Sequence, residues 1–400
     1  MPARISSAGL DRVLPKRGLV WISGCSGESD AFRDGLAGLS RPGLTFVSVL
    51  VPGLNRPSYL LETGARVVTF FMLPELAGAA PVKFLPLPYR EIGLWLTRNP
   101  PSAALIMVSA PDRDGRCSLG AVTDFAADIL TGCDTIIAHV NPRMPATRGT
   151  PGIAFDRLSA VIEAPQDLRS QDPGSDPVAE AIARNAAALI PDGVTLQAGI
   201  GRVPEAVLRG LTGKRGLAIH SGLIGDSTLH LLRAGALRAD NPVTAGVAIG
   251  TSTLYDAISA PDFTFRPPSF THDLAVLAGI DRLVTINSAT ELDLDGQVHA
   301  EATPKGPFSG PGGASDFAAG ARGTGGLRII ALPATAARGT VSRIVRARDA
   351  CGPVSLGRFD TDVVITEHGA ADLRCLSPKA RRAALTAIAA PEHRAALSGP

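Results

Sequence analysis

The chain of 400 residues has no excess of either charge, since 39 Lys and Arg stand against 37 Asp and Glu for a formal net charge of +2. That balance supplies no global field to hold nucleic acid or an anionic membrane, and neither partner is expected; a local basic pocket is all it leaves room for. Cysteine is scarce and unpatterned. Cys25, Cys117, Cys133, Cys351 and Cys375 show neither CxxC spacing nor the density of a secreted disulfide scaffold, which predicts reduced thiols in a cytoplasmic protein. The seven histidines fall in no HxxxH or His/Cys ligand spacing, so no metal site is expected. Long apolar runs are missing too. The first residues lack the stretch of about 7–15 apolar residues of a signal peptide, and no segment approaches the ~20 needed to cross a bilayer.

What is present is the composition of a globular protein: 45% hydrophobic residues, with 43 glycines and 32 prolines spread along the chain. The length suggests two domains. Short β-branched runs alternate with alanine-rich amphipathic stretches, the pattern of βα units around a mostly parallel sheet. Strands are predicted at Leu19–Ser23, Thr45–Leu50, Arg66–Phe71, Ala104–Ser109, Thr135–Val140 and Ala160–Ala164, with helices at Ser29–Leu39 and Ala121–Thr131. The stretch Gln166–Pro177 is polar, proline-bearing and aperiodic, so the boundary is placed there, between domains 1–170 and 177–400. The second half opens with a helix at Val178–Leu189. Strands follow at Thr195–Ala198, Leu217–His220, Val243–Ile249, Leu274–Ala278, Leu283–Ile286, Arg328–Leu332 and Asp362–Ile365, and a last helix at Lys379–Ala389.

Residues 196–226 are the richest in chemistry. They read as a strand, the turn Gly199-Ile200-Gly201, a helix and a second strand ending at His220, Ser221 and Gly222. Ligands of open α/β sheets gather at strand carboxyl ends. Proline stands where a dinucleotide fingerprint has its third glycine, and Pro204 suits a helix start. The turn is either a set of backbone N–H groups aimed at an anion or oxyanion, or a tight turn without a ligand. A second glycine cluster, Ser309 to Phe317, lets the backbone approach a ligand closely, although a flexible loop would read the same way. Pro111-Asp112-Arg113-Asp114-Gly115 is turn chemistry. Cys25 follows a strand in Ser23-Gly24-Cys25-Ser26-Gly27, and a buried structural thiol is the favoured reading.

Together these segments resemble the acetyl-CoA hydrolase/transferase family. The matching pieces include Val108-Ser109-Ala110-Pro111-Asp112 with Ser118-Leu119-Gly120, Leu196-Gln197 with Gly199-Ile200-Gly201 and Pro204, and Ile286-Asn287-Ser288 with Asp293-Leu294 and Gly296-Gln297-Val298. Further matches are Gly310 with Gly312-Gly313, Val341-Ser342-Arg343-Ile344-Val345 and Val364-Ile365-Thr366-Glu367, so the resemblance runs along nearly the whole chain. It implies two CoA-transferase-like α/β domains, each an open, mostly parallel sheet flanked by helices. Coenzyme A or an acyl-CoA would be substrate or ligand, with no permanently bound cofactor and a small carboxylate as co-substrate, as in acetate metabolism. A homo-oligomer is expected, a hetero-oligomer being the alternative. Gly199, Ile200, Gly201, Asn287, Gly310, Gly312 and Gly313 would bind CoA or an oxyanion.

Family members transfer CoA through a glutamate that forms an acyl anhydride and then a glutamyl-CoA thioester, chemistry open only to a carboxylate. The resemblance puts that glutamate after Ile219-His220-Ser221, on Gly222, which has no side chain. Three readings follow. A carboxylate among Asp226, Glu291, Glu301 and Glu367 takes over the transfer; or water hydrolyses the bound acyl-CoA with Glu291, Glu301 or Asp226 as base; or the chain binds CoA without turnover, as a regulatory homologue or the partner subunit of an active transferase.

Overall fold

The computed structural model describes residues 1–172 and 174–398. Pro173, inside the expected linker, and Gly399 and Pro400, at the end of the expected second domain, lie outside the described residues. Contacts divide the chain into two compact units, Met1–Gln171 with Thr244–Thr271, and Asp172–Val243 with His272–Pro400.

The first unit is built on eight strands: β1 (Ala3–Arg4), β2 (Gly18–Ile22), β3 (Leu44–Ser48), β4 (Arg66–Thr69), β5 (Val82–Phe84), β6 (Ala103–Val108), β7 (Thr135–Val140) and β8 (Ala160–Glu163). They lie in the order β1-β8-β7-β6-β2-β3-β4-β5, and every pairing is parallel. All six residues of β6 are buried, as both faces of a parallel sheet are covered. Alternate residues of neighbouring strands, Val20 and Ile22, Leu44 and Phe46, Ala103 and Leu105, line one face and form the core with Phe32 and Leu36 of helix α1 (Asp30–Leu36). Ser29 caps that helix by accepting the Phe32 N–H at 3.2 Å.

By their contacts residues 244–271 group with this unit. Their backbone groups find partners here: Thr123 N donates to Gly246 O at 3.2 Å, Ala248 N to Ala121 O at 2.8 Å and Phe265 N to Arg148 O at 2.7 Å. The same bonds shorten the helix predicted at 121–131. Residues 121–124 are engaged by the 244–271 segment, and only Ala126–Ile129 is α-helical, followed by a 3₁₀ turn at Leu130–Gly132.

In the second unit the strands are β9 (Thr195–Ala198), β10 (Ala218–Ile224), β11 (Leu283–Asn287), β12 (Glu291–Asp293), β13 (Arg328–Ala331), β14 (Val363–Thr366) and β15 (Gly369–Asp372). They run in the order β10-β9-β11-β13-β14-β15, parallel except for the final hairpin, while β12 lies in a small separate sheet. Helices α2 (Pro177–Ala187), α3 (Arg202–Arg209), α4 (Asp226–Arg233), α5 (Leu274–Ala278), α6 (Ala314–Gly320) and α7 (Pro378–Ile388) accompany them. Each unit is thus α/β with a mostly parallel sheet, the fold class that the sequence predicts.

Two further predicted elements differ. Leu274–Ala278 is helix α5 rather than a strand, because the Asp273 carboxylate accepts the N–H groups of Ala275 and Val276 at 2.9 and 3.0 Å. A five-residue apolar run fits either period, and the cap decides. The strand predicted to end at His220 continues to Ile224, so Ser221 and Gly222 lie within β10 and not in a loop beyond it. No helix of the described residues is long and apolar enough to cross a membrane.

Candidate active site

The glycine turn forms as its residues require. Gly199 N donates to Ile286 O at 2.8 Å, Gly201 takes φ 107° as the N-cap of α3, and Pro204 lies in the first turn of that helix. Behind the turn, Asn287 and Gln197 exchange side-chain amide hydrogen bonds at 3.0 and 3.2 Å, both residues buried. A Cβ on Gly199 would stand 3.1 Å from Asn287 Oδ1, so glycine lets this amide pair lie against the turn. Asn287 therefore supports the turn, while Ile200 at its tip is 48% exposed.

On β10, residues i and i+2 share a face, so His220 and Gly222 point the same way. A glycine inside a strand marks a place where another group comes close. Here that group is the imidazole of His272. A Cβ built on Gly222 would meet His272 Cε1 at 2.6 Å and Nε2 at 2.8 Å, and one built on Gly313 would meet Nε2 at 2.4 Å. The ring packs on Phe317 with centroids 4.7 Å apart, and Phe317 also makes an edge contact with His220. His272 is 3% exposed, and burial, helped by His220, lowers its pKa to about 3. The imidazole is thus neutral throughout the physiological range. Of the second glycine cluster, Gly312 takes φ 62°, Gly313 caps α6 and faces His272, and Gly310 is buried just before them.

The candidate carboxylates are dispersed. Glu291, on β12, accepts the Cys351 N–H. Glu301, 8% exposed, accepts the Ser355 hydroxyl at 2.7 Å. Glu367 accepts the Ala334 N–H at 2.8 Å, and Asp226 opens α4, beyond the end of β10. Sequence reasoning missed Glu205. This buried carboxylate on α3 accepts the Ser227 N–H at 3.0 Å, capping α4, whose own N-cap, Gly225, has no side chain to do so. Burial raises its pKa. With Gly199, Ser221 and Gly225 it lines a cavity of about 10 Å³, room for about one water.

Sequence reasoning also passed over His272, which stands in none of the motifs and in no metal-ligand spacing. The glycine within β10 was the available signal, yet its partner lies fifty positions away. Cys25 is buried with φ 51°, its Sγ facing Val49 O at 3.7 Å, and burial holds its thiol well above the usual range. Among the described residues no group of three or more His, Cys, Asp or Glu is placed to hold a metal ion.

Residues 250–399 match the family described as the acetyl-CoA hydrolase/transferase C-terminal domain. Over 309 residues, 75% of this chain and 72% of the relative, the sequence is 37% identical to the 4-hydroxybutyrate coenzyme A transferase of Clostridium kluyveri. Over 308 residues, 75% and 70% of the two chains, it is 32% identical to the succinyl-CoA:cyclohexane-1-carboxylate CoA transferase of Geobacter metallireducens. The crystal structure of RipA from Yersinia pestis superposes with a TM-score of 0.91 at 26% identity, covering 99% of this chain and 96% of that one.

Proposed function

Because the chain belongs to the acetyl-CoA hydrolase/transferase family, we propose that it acts on acyl-CoA thioesters by a route without a glutamyl-CoA intermediate, water attacking the thioester directly. The observation that supports this is the His272 ring, 2.6 Å from where a side chain at position 222 would begin. Position 222 therefore supplies neither a nucleophile nor the room for one. A relocated nucleophile is not favoured, since Glu291, Glu301, Glu367 and Glu205 each hold an N–H or O–H group of their own unit. The backbone turns at Gly199–Gly201 and Gly310–Gly313 remain suited to CoA and to an oxyanion.

The depth of His272 supports a second reading, in which the chain binds CoA and does not turn it over. One experiment separates the two. The protein is incubated with acetyl-CoA and butyryl-CoA, without an added carboxylate, while free thiol and intact mass are followed. Thiol release with no covalent adduct is expected. A CoA or acyl adduct on any Asp or Glu would restore the transferase route, and tight binding with neither release nor adduct would establish the second reading.

A further inference from the structure

In the first unit, Leu19 of β2 pairs with Thr45 of β3, Thr45 with Arg66 of β4, and Val68 of β4 with Lys83 of β5, so all of them share one face of the sheet. Val20, Phe46 and Val67, on the other face, fill the core. Trp95 and Asn99, in and just beyond the helix Tyr89–Arg98, wall this face into a groove of about 390 Å³, a volume suited to a small molecule. The groove lies toward the amino ends of the strands, away from the carboxyl ends where ligands of open α/β sheets gather. Neither Arg66 nor Lys83 has a side-chain hydrogen bond or an ion pair among the described residues, and no Asp or Glu lines the groove. Lys83 stands opposite Val68, two residues along from Arg66, which puts the two Cα atoms about 8 Å apart on neighbouring strands. Like charges so placed repel. A lysine on the edge strand β5 guards against edge pairing, but Arg66 is on the inner strand β4, where no such guard is needed. Beside the two cations the walls are apolar: Leu19, Val68 and Trp95, whose ring is steadied by an edge contact with Phe70 at 5.8 Å.

We infer that this groove binds an aromatic phosphomonoester, its phosphate held between Arg66 and Lys83 and its ring laid against Leu19, Val68 and Trp95. Arg66 offers a planar fork of N–H donors to the phosphate oxygens, and Lys83 a compact second charge. Two positive charges match a dianion better than a monocarboxylate, and the apolar wall favours an aryl ester over bare phosphate. The inference does not rest on the hydrolytic reading, which uses none of these residues.

The test uses the full-length protein, with phenyl phosphate and adenosine monophosphate as probes, the second to tell a nucleotide from a simple aryl phosphate. Of the two tryptophans Trp21 is 1% exposed while Trp95 lines the groove, so a ligand there alters the fluorescence of Trp95. A saturable change with Kd on the order of 0.1–1 mM, matched by calorimetry, is expected for at least one probe, with inorganic phosphate and benzoate at least about fivefold weaker. Arg66→Ala and Lys83→Ala should each weaken binding about tenfold. Both side chains are exposed and unpartnered among the described residues, so the thermal unfolding of these variants should match that of the parent. A double variant that binds the probe as tightly as the parent would place it elsewhere and overturn the inference. No saturable response to either probe up to about 10 mM would overturn it too, as would benzoate or inorganic phosphate binding as tightly as the esters.

Discussion

Asp124 in the first unit and His272 in the second are both 3% exposed ionisable residues whose charged forms burial disfavours, and they respond to pH with opposite sign. Burial pushes the Asp124 carboxyl up to about 7, opposed by the Phe125 N–H and assisted by Asp128, and its Oδ1 has no hydrogen-bond partner among the described residues. The unfolded carboxylate titrates near ~4, so between ~4 and about 7 the native state binds more protons and stability falls as pH rises. An unfolded histidine titrates near ~6.5, whereas His272 in the folded state stays neutral down to about 3. There the unfolded state binds more protons, and stability is lost as pH falls below ~6.5. The first unit is weakened as pH rises from ~4 to about 7, and the second as pH falls through much of the same range. Burial alone therefore does not set the pH of greatest stability; the chemical type of the buried group does.

The strongest way to break this comparison is Asp124→Asn. Asparagine tolerates the positive φ of 34° at this position and cannot ionise. Thermal unfolding should show a gain at pH 8 of up to about 4 kcal/mol, the free energy of a titration displaced this far, and little gain at pH 4.5. An equal gain at both would mean that charge is not the cause. On the other side, His272→Gln should gain stability relative to the parent progressively as pH falls from 6.5 to 4.5 in denaturant titrations, with no pH-dependent difference above pH 7.

Gly222→Glu comes next. The change puts the family's glutamate back at this position, but the new Cβ would collide with the His272 ring. The variant should lose about 1–3 kcal/mol, as overpacked cores do, and show no CoA adduct by mass spectrometry. Gly222→Glu with His272→Gly should regain part of that stability in denaturant titrations; if the single variant is as stable as the parent, the ring is free to leave. The smallest effect is that of Glu205→Ala, about 1 kcal/mol from the lost cap of α4, read as a shift in the denaturation midpoint.

Much of the fold was legible because its signals are local. The strand Thr195–Ala198 was placed to the residue, and α2 and α7 to within two residues at each end, since apolar period and caps lie in the segments themselves. The turn at Gly199–Gly201 could be read for the same reason. Where partners are distant, reading stopped. The end of β10 was misjudged because Gly222 looked like a loop residue, when it is a gap that a histidine from elsewhere in the chain fills. Glu205 was missed because its partner, Ser227, lies on another helix.

The 244–271 segment bears on how this polypeptide can be made. A ribosome that has released residues 1–171 has not yet supplied the groups that bond to Ala121, Thr123 and Arg148. All eight strands of the first unit's sheet are made by then, but the unit is completed only after residues 172–243 of the second have been synthesised, and the backbone groups at 121–124 and 148 wait for their partners. Neither unit corresponds to a continuous stretch of the gene. Dissecting the protein by truncation at residue 171 would yield an incomplete fragment, and a separable first half would require residues 244–271 to be spliced back onto it.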